Sequence, residues 1–193
     1  NMGHCSLGLD QVCIAILSKS AKYSPKIIIV EQYPWAVHRV LNNYVNGYIR
    51  PHFCIDNNNE LQLRKVPSIT RIPLFRNIIG NYFSFKKEFT EYKAGINLKG
   101  NPGSFVDPIF ACWKTRHYDY MYDLIDRILV VIKDYCHQNG IKLLFGLGTI
   151  KQQFGPPSSS DLVDYDLPRR RLIKLLEKNQ INFVDTTKNM LAE

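Results

Sequence analysis

Apolar and polar positions change their period several times along this chain, and each change marks an element. Residues 9–21 (LDQVCIAILSKSA) place Leu9, Val12, Cys13, Ile16 and Leu17 at helical spacing. Asp10 falls in the first turn of that predicted helix, where a carboxylate suits the helix dipole. A Ser24-Pro25 break follows, then Lys26-Ile27-Ile28-Ile29-Val30. A run of β-branched residues like this predicts a strand buried on both faces, in the middle of a parallel sheet. At its end the character changes abruptly to Glu31, Gln32, Tyr33, Pro34, Trp35, His38 and Arg39.

Residues 40–50, rich in Asn, read as a short helix or loop. In residues 53–66 two alternating arms, Phe53/Ile55 and Leu61/Leu63, flank Asp56-Asn57-Asn58-Asn59, which is the chemistry of a hairpin. Residues 73–92 form an aromatic-rich helical stretch. Residues 93–108 hold three Gly, two Pro and two Asn and predict a long loop. Residues 109–138 carry a strong helical pattern in Tyr118, Met121, Tyr122, Leu124, Ile125, Ile128, Leu129 and Ile132, closed by Asn139-Gly140. A second strand, 141–148 (IKLLFGLG), leads into a Pro/Ser-rich loop at 149–166, where Gln152 and Gln153 are outlying site candidates. A helix at 168–178 has Pro at an early position. A third short strand follows at 182–184, and Asp185-Thr186-Thr187 caps a final helix.

This alternation predicts an α/β fold with a doubly wound parallel sheet. Residues 27–30, 143–145 and 183–184 should be neighbouring parallel strands in that order, joined by right-handed crossovers. The whole chain, 1–193, reads as one domain with a hairpin-bearing insertion at about 40–116.

Composition adds few constraints. The chain is 45% hydrophobic and 22% charged, an ordinary globular mixture. Its apolar runs are too short for a transmembrane helix or signal peptide. The net charge of +8 is dispersed, and its one dense run, Arg169-Arg170-Arg171, stands beside Asp164 and Asp166. That reads as a solvated surface rather than a specific nucleic-acid site. The five cysteines, at 5, 13, 54, 112 and 136, are odd in number and form no Cys-x-x-Cys pair, so neither a zinc site nor a disulfide framework is suggested. Cys13 and Cys136 fall within helical patterns and read as small core residues.

Candidate chemistry collects where strands end. In open α/β sheets ligands sit in the crevice outside the carboxyl ends of the strands. The Tyr33, Trp35, His38 and Arg39 cluster is placed there. The small-residue stretch Asn1-Met2-Gly3-His4-Cys5-Ser6-Leu7-Gly8 precedes a helix N-terminus, where free backbone N–H groups can cradle an anion or oxyanion. The plainer alternative has Trp35 covering the sheet end while His38 and Arg39 face water.

Four stretches together resemble a known family. The opening segment, continued through Leu9-Asp10-Gln11, resembles the second block of SGNH (GDSL-type) hydrolases, N-x-G-x-x-G-x-G-x-x-Q before a helix. Tyr23-Ser24-Pro25 and the following Ile-rich run resemble the family's third strand. Tyr48-Ile49-Arg50-Pro51-His52-Phe53, with Leu61-Gln62-Leu63 and Val66-Pro67, resembles an insertion in some bacterial members. Asp164-Tyr165-Asp166-Leu167-Pro168, a helix, and Ile181 to Asp185 resemble the approach to the family's last catalytic block.

The resemblance implies a three-layer α/β/α, flavodoxin-like fold and ester hydrolysis through a serine acyl-enzyme, with His as base and Asp as its orienter. The acyl or acetyl ester would be carried on a small molecule, glycan or lipid, and no metal or organic cofactor is implied. In the family the Gly-Asp-Ser nucleophile lies upstream of the second block, and the Asp-x-x-His pair downstream of the strand ending at Asp185. The chain therefore reads as the central portion of a longer hydrolase. Within it, the resemblance gives Gly3, Ser6 and Gly8 to the oxyanion loop, Ser6 through its backbone N–H, and Tyr33, Trp35 and Arg39 to the pocket wall. Two departures stand out. Ser6 replaces the oxyanion Gly, and Trp35 stands near the expected Asn, offering only an indole N–H. Loss of one oxyanion donor costs about 10²–10³ in rate. A catalytically inactive SGNH-like module that holds a glycan or acyl chain is the alternative. A flavodoxin-like nucleotide or phosphate binder is a further one, but no P-loop or Rossmann glycine pattern supports it.

Overall fold

The structure is a computed structural model that describes residues 7–41, 44–45, 48–66, 96–97, 105–106, 116–149 and 164–187. Helix α1 spans Leu9–Tyr23 and ends at Ser24, which turns left-handed (φ 41°) and returns its N–H to the Ser20 carbonyl. Strand β1, Ile27–Gln32, leads into a 3₁₀ helix, Pro34–Leu41. Three short antiparallel pairs follow: β2 (Tyr44–Val45) with β3 (Tyr48–Ile49), β4 (His52–Ile55) with β5 (Leu61–Arg64), and β6 (Ile96–Asn97) with β7 (Phe105–Val106). Helix α2 (Arg116–Gln138), strand β8 (Lys142–Leu147), helix α3 (Leu167–Lys178) and strand β9 (Phe183–Asp185) complete the order.

The main sheet is parallel, in the order β1-β8-β9. Ile27 to Gln32 pair in register with Lys142 to Leu147, and Phe145 to Leu147 with Phe183 to Asp185. This is the strand order expected from the sequence, and the fold is mixed α/β. One expectation is corrected. The Ile27–Val30 run is not buried on both faces: Ile28, Val30 and Gln32 are buried, whereas Ile27 and Ile29 are 55% and 68% exposed. Successive strand side chains point to opposite faces. The Ile28 face joins Phe145 and Leu147 in one core with Leu9, Cys13 and Ile16 of α1, Met121, Ile125, Ile128 and Ile132 of α2, and Leu172 and Leu176 of α3. Among the described residues, all three helices thus bury their apolar stripes against the same face.

Cys13 and Cys136 are core residues, as their spacing suggested. The predicted hairpin is β4–β5. Asp56 organises its turn by accepting the N–H groups of Asn58 and Glu60 on Oδ1, and Asn59 adopts the left-handed region. Two local features go beyond the sequence reading. The Trp35 cluster lies on a 3₁₀ helix that continues to Leu41, and the β2–β3 pair follows it where a short helix or loop was expected. The β6–β7 pair also falls within the segment read as a long loop. The expected helix over 73–92, the start of the 109–138 pattern, and Gln152 and Gln153 lie outside the described residues.

Candidate functional site

A parallel sheet brings its strand ends to one edge. Beyond β1 that edge is built by Tyr33 and the 3₁₀ helix, whose first turn closes with the Ala36 N–H donating to the Tyr33 carbonyl at 2.8 Å. Pro34, Ala36, Val37 and Val40 face the core. Trp35, His38 and Arg39 are half-buried, and Trp35 also packs against the edge of the core. The rings of Tyr33 and Trp35 are 6.5 Å apart and tilted, and the Arg39 guanidinium carbon lies 5.1 Å from the centre of the Trp35 ring. His38 completes the cluster, with its ring 6.4 Å from Trp35 and its Nδ1 2.8 Å from the Trp35 carbonyl. A carbonyl only accepts, so this bond requires the proton on Nδ1.

Two glycines let neighbouring segments close on the cluster. A Cβ at Gly148, just past β8, would stand 2.6 Å from two carbons of the Tyr33 ring, so the ring lies directly on the Gly148 backbone. The Gly148 N–H also donates to the Gln32 carbonyl at 3.1 Å. A Cβ at Gly8, just before α1, would meet the Arg39 carbonyl oxygen at 2.7 Å and Asp10 Oδ1 at 2.5 Å. Helix α1 joins β1 at the sheet's other edge, so its start returns to the carboxyl edge. Of the residues expected in the site, Gly8, Tyr33, Trp35 and Arg39 meet there, whereas Gly3 and Ser6 lie outside the described residues.

Asp10 is a site feature that sequence reading placed only as a helix-dipole partner. It is fully buried, and its Oδ1 has no hydrogen-bond partner. Burial pushes its carboxyl up to about 7, opposed in part by the Gln11 side-chain amide and more weakly by the Arg50 charge. Gln11 Nε2 donates to Asp10 Oδ2 and also to the Pro51 carbonyl, tying α1 to the segment that enters β4. The helix dipole favours the ionised form by about 0.3–1 kcal/mol, which is small against the cost of desolvation. Cys13, one turn further on, is buried with its thiol pushed up to about 12, so it is no nucleophile.

The Arg169-Arg170-Arg171 run also acquires definite roles. Arg169 is held between Asp166 and Asp185, the last residue of β9, and Arg170 between Asp164 and Asp166. Arg171 lies over the ring of Tyr122, 4.8 Å from its centre. The nearby aspartates were the signal in the sequence that most of this charge is spent internally. Beside the network, the Thr186 hydroxyl donates to the Leu147 carbonyl at 2.7 Å, and the Thr187 N–H to Asp185 Oδ1 at 3.1 Å. The ends of β8 and β9 are therefore fixed to one another.

The chain spells Asp-x-x-His once, at Asp134 to His137. Both residues are exposed near the end of α2, where the chain turns into the start of β8. They stand at the amino edge, across the sheet from the Trp35 cluster. No group of three or more His, Cys, Asp or Glu suited to a metal occurs among the described residues, nor is any helix there long and apolar enough to cross a membrane. No protein-family model, curated protein or solved structure matches the chain.

Proposed function

We propose that this chain is the central part of an SGNH-type ester hydrolase, with the Trp35 cluster forming a wall of its substrate crevice. The observation that carries the reading is the meeting of Gly8 with the Arg39 end of the 3₁₀ helix at the carboxyl edge. The Leu7-Gly8 entry into α1 stands there beside the Tyr33, Trp35 and Arg39 cluster. Backbone N–H groups preset at such a place stabilise the oxyanion of acyl transfer. In this reading the Ser nucleophile and the Asp/His pair belong to sequence outside these 193 residues. The exposed Ile27, Ile29 and Val184 face is where a three-layer α/β/α arrangement would seat its second helical layer. Trp35 in place of an amide donor leaves a catalytically inactive binder of a glycan or acyl chain as the second reading.

Two measurements test the proposal. The 193-residue chain should hydrolyse p-nitrophenyl acetate at the buffer rate. The complete reading frame should carry Gly-Asp-Ser upstream and Asp-x-x-His downstream, and its product should lose the reaction when that Ser becomes Ala. Serine-dependent turnover by the 193 residues alone would show the nucleophile to be misplaced. A reading frame without either motif sinks the proposal. Motifs without turnover favour the binding module.

A further inference from the structure

The arginines near the carboxyl edge differ in how their charge is met. Arg169 and Arg170 are neutralised by Asp164, Asp166 and Asp185. Arg39 has no carboxylate partner among the described residues, and the contact that holds it is the face of Trp35. A guanidinium laid on an aromatic face keeps its N–H donors in its own plane, clear of the ring, in a fork that matches an oxyanion. Stacking also limits the rotamer freedom that an arginine otherwise loses on binding. Beside it, Tyr33 is braced on Gly148 and remains 43% exposed. Two tilted aromatic rings and a guanidinium over one of them thus share one ledge. The chain's net charge of +8 favours approach of an anion to it.

We propose that this ledge recognises an acidic sugar, with a pyranose ring lying against the exposed part of Tyr33 and along the rim of Trp35, and its carboxylate taken by Arg39. Aromatic faces suit the apolar C–H face of a pyranose. A planar fork binds a carboxylate with two parallel, charge-assisted hydrogen bonds. This rests on the carboxyl edge being the substrate side, as proposed above, and narrows the substrate to a uronate-bearing glycan.

The test is calorimetric titration of the 193-residue chain at pH 7 and low salt with trigalacturonate and with its neutral methyl ester. The acid form should bind about tenfold tighter or better, and 0.5 M salt should remove most of that preference, since exposed charges are then screened within a few ångströms. Arg39→Gln should abolish the preference, bringing the affinity for the acid down to that for the ester. Arg39→Lys should restore only part, because charge returns without the fork. Trp35→Ala should weaken both ligands, with Trp35→Phe as the ring-keeping variant if the alanine form does not fold. Equal affinity for acid and ester overturns the acidic-sugar proposal and leaves the hydrolase reading to its own ester assay. Acid preference that survives Arg39→Gln overturns the role of Arg39. Binding of neither ligand overturns the glycan assignment altogether, whatever the outcome of the ester assay.

Discussion

The two faces of the β1-β8-β9 sheet have similar sequences and opposite fates. Ile28 and Val30 are buried beneath three helices, whereas Ile27 and Ile29, of equal apolarity and in the same strand, stand 55% and 68% exposed. Val184 on β9 is 45% exposed and pairs in register with Gly146, on the same side as Ile27 and Ile29. The difference comes from the connections. Crossovers that advance in one direction across a parallel sheet, all right-handed, place their helices on one side. The chain moves from β1 through α2 to β8, then through α3 to β9, always in that direction. Apolarity makes both faces able to bury, and topology decides which one these helices cover.

The largest way to break this contrast is to cut into the covered face. Phe145 is fully buried in the core cluster, on the strand β8 that packs against α2. Phe145→Ala should cost about 3–5 kcal/mol, through lost transfer energy and the cavity left behind. Urea unfolding measures it, read as a fall in midpoint at constant m. A loss below about 1 kcal/mol would mean that the core repacks freely and that the covered face is not the cooperative unit.

The success and the failure of sequence reading divide along the same line. The order of the strands, α1, the later part of α2, α3 and the β4–β5 hairpin were legible because each rests on a local period or a turn chemistry. The one-sided burial of β1 was not, since an unbroken Ile-Ile-Ile-Val run lacks the polar alternation that marks a half-exposed strand. At the site, Tyr33, Trp35 and Arg39 were found because they follow a strand abruptly. The burial of Asp10 was hidden, because a carboxylate in a first helical turn ordinarily faces water. Only the close approach of Gly8, Arg39 and Pro51 shows otherwise.

The next effect concerns that carboxylate. Asp10 holds its proton up to about pH 7 when folded, against an ordinary value of 3.8. A raised folded pKa means that the native state binds the proton more tightly than the unfolded chain. Its contribution to stability is therefore complete below about pH 4 and is lost as the pH rises toward 7. The gap of about three units sets a ceiling of about 4 kcal/mol, and relaxation around the ionised group leaves about 1–3 of it. Asp10→Asn should stabilise the protein by that amount at pH 8, give no gain at pH 4, and flatten the dependence between them. Unfolding curves across this range check it, and a parent whose stability relative to the variant does not decline from pH 4 to 7 sinks the assignment.

A smaller effect is expected at the carboxyl edge. Arg169 joins α3 to the end of β9 through Asp185, and both side chains are mostly shielded from water. Arg169→Met keeps the stem's packing and leaves two carboxylates facing one another. The expected loss is about 1 kcal/mol, above that of an exposed pair and below that of a deeply buried one. It should shrink in 1 M salt, where charges that reach the surface are screened within about 3 Å. A loss that persists undiminished at high salt would assign it to packing rather than charge.

The smallest effect is the most informative about the two faces. Ile28 and Ile29 are adjacent, identical in chemistry and opposite in direction. Ile28→Ala removes buried methyl groups and should cost about 2–4 kcal/mol. Ile29→Ala removes atoms that already touch water, so only strand preference is lost, and the cost should stay below about 1 kcal/mol. The pair shares one strand, one register and one neighbour, so the difference between the two isolates the face. Urea midpoints of the two variants, measured side by side on the 193-residue chain, give it directly. A cost at Ile29 equal to that at Ile28 would mean that something buries the second face in solution. The same measurement on the complete reading frame then carries the three-layer proposal. There, a second helical layer should raise the cost at Ile29 toward that at Ile28, and an unchanged small cost would leave the sheet covered on one side alone.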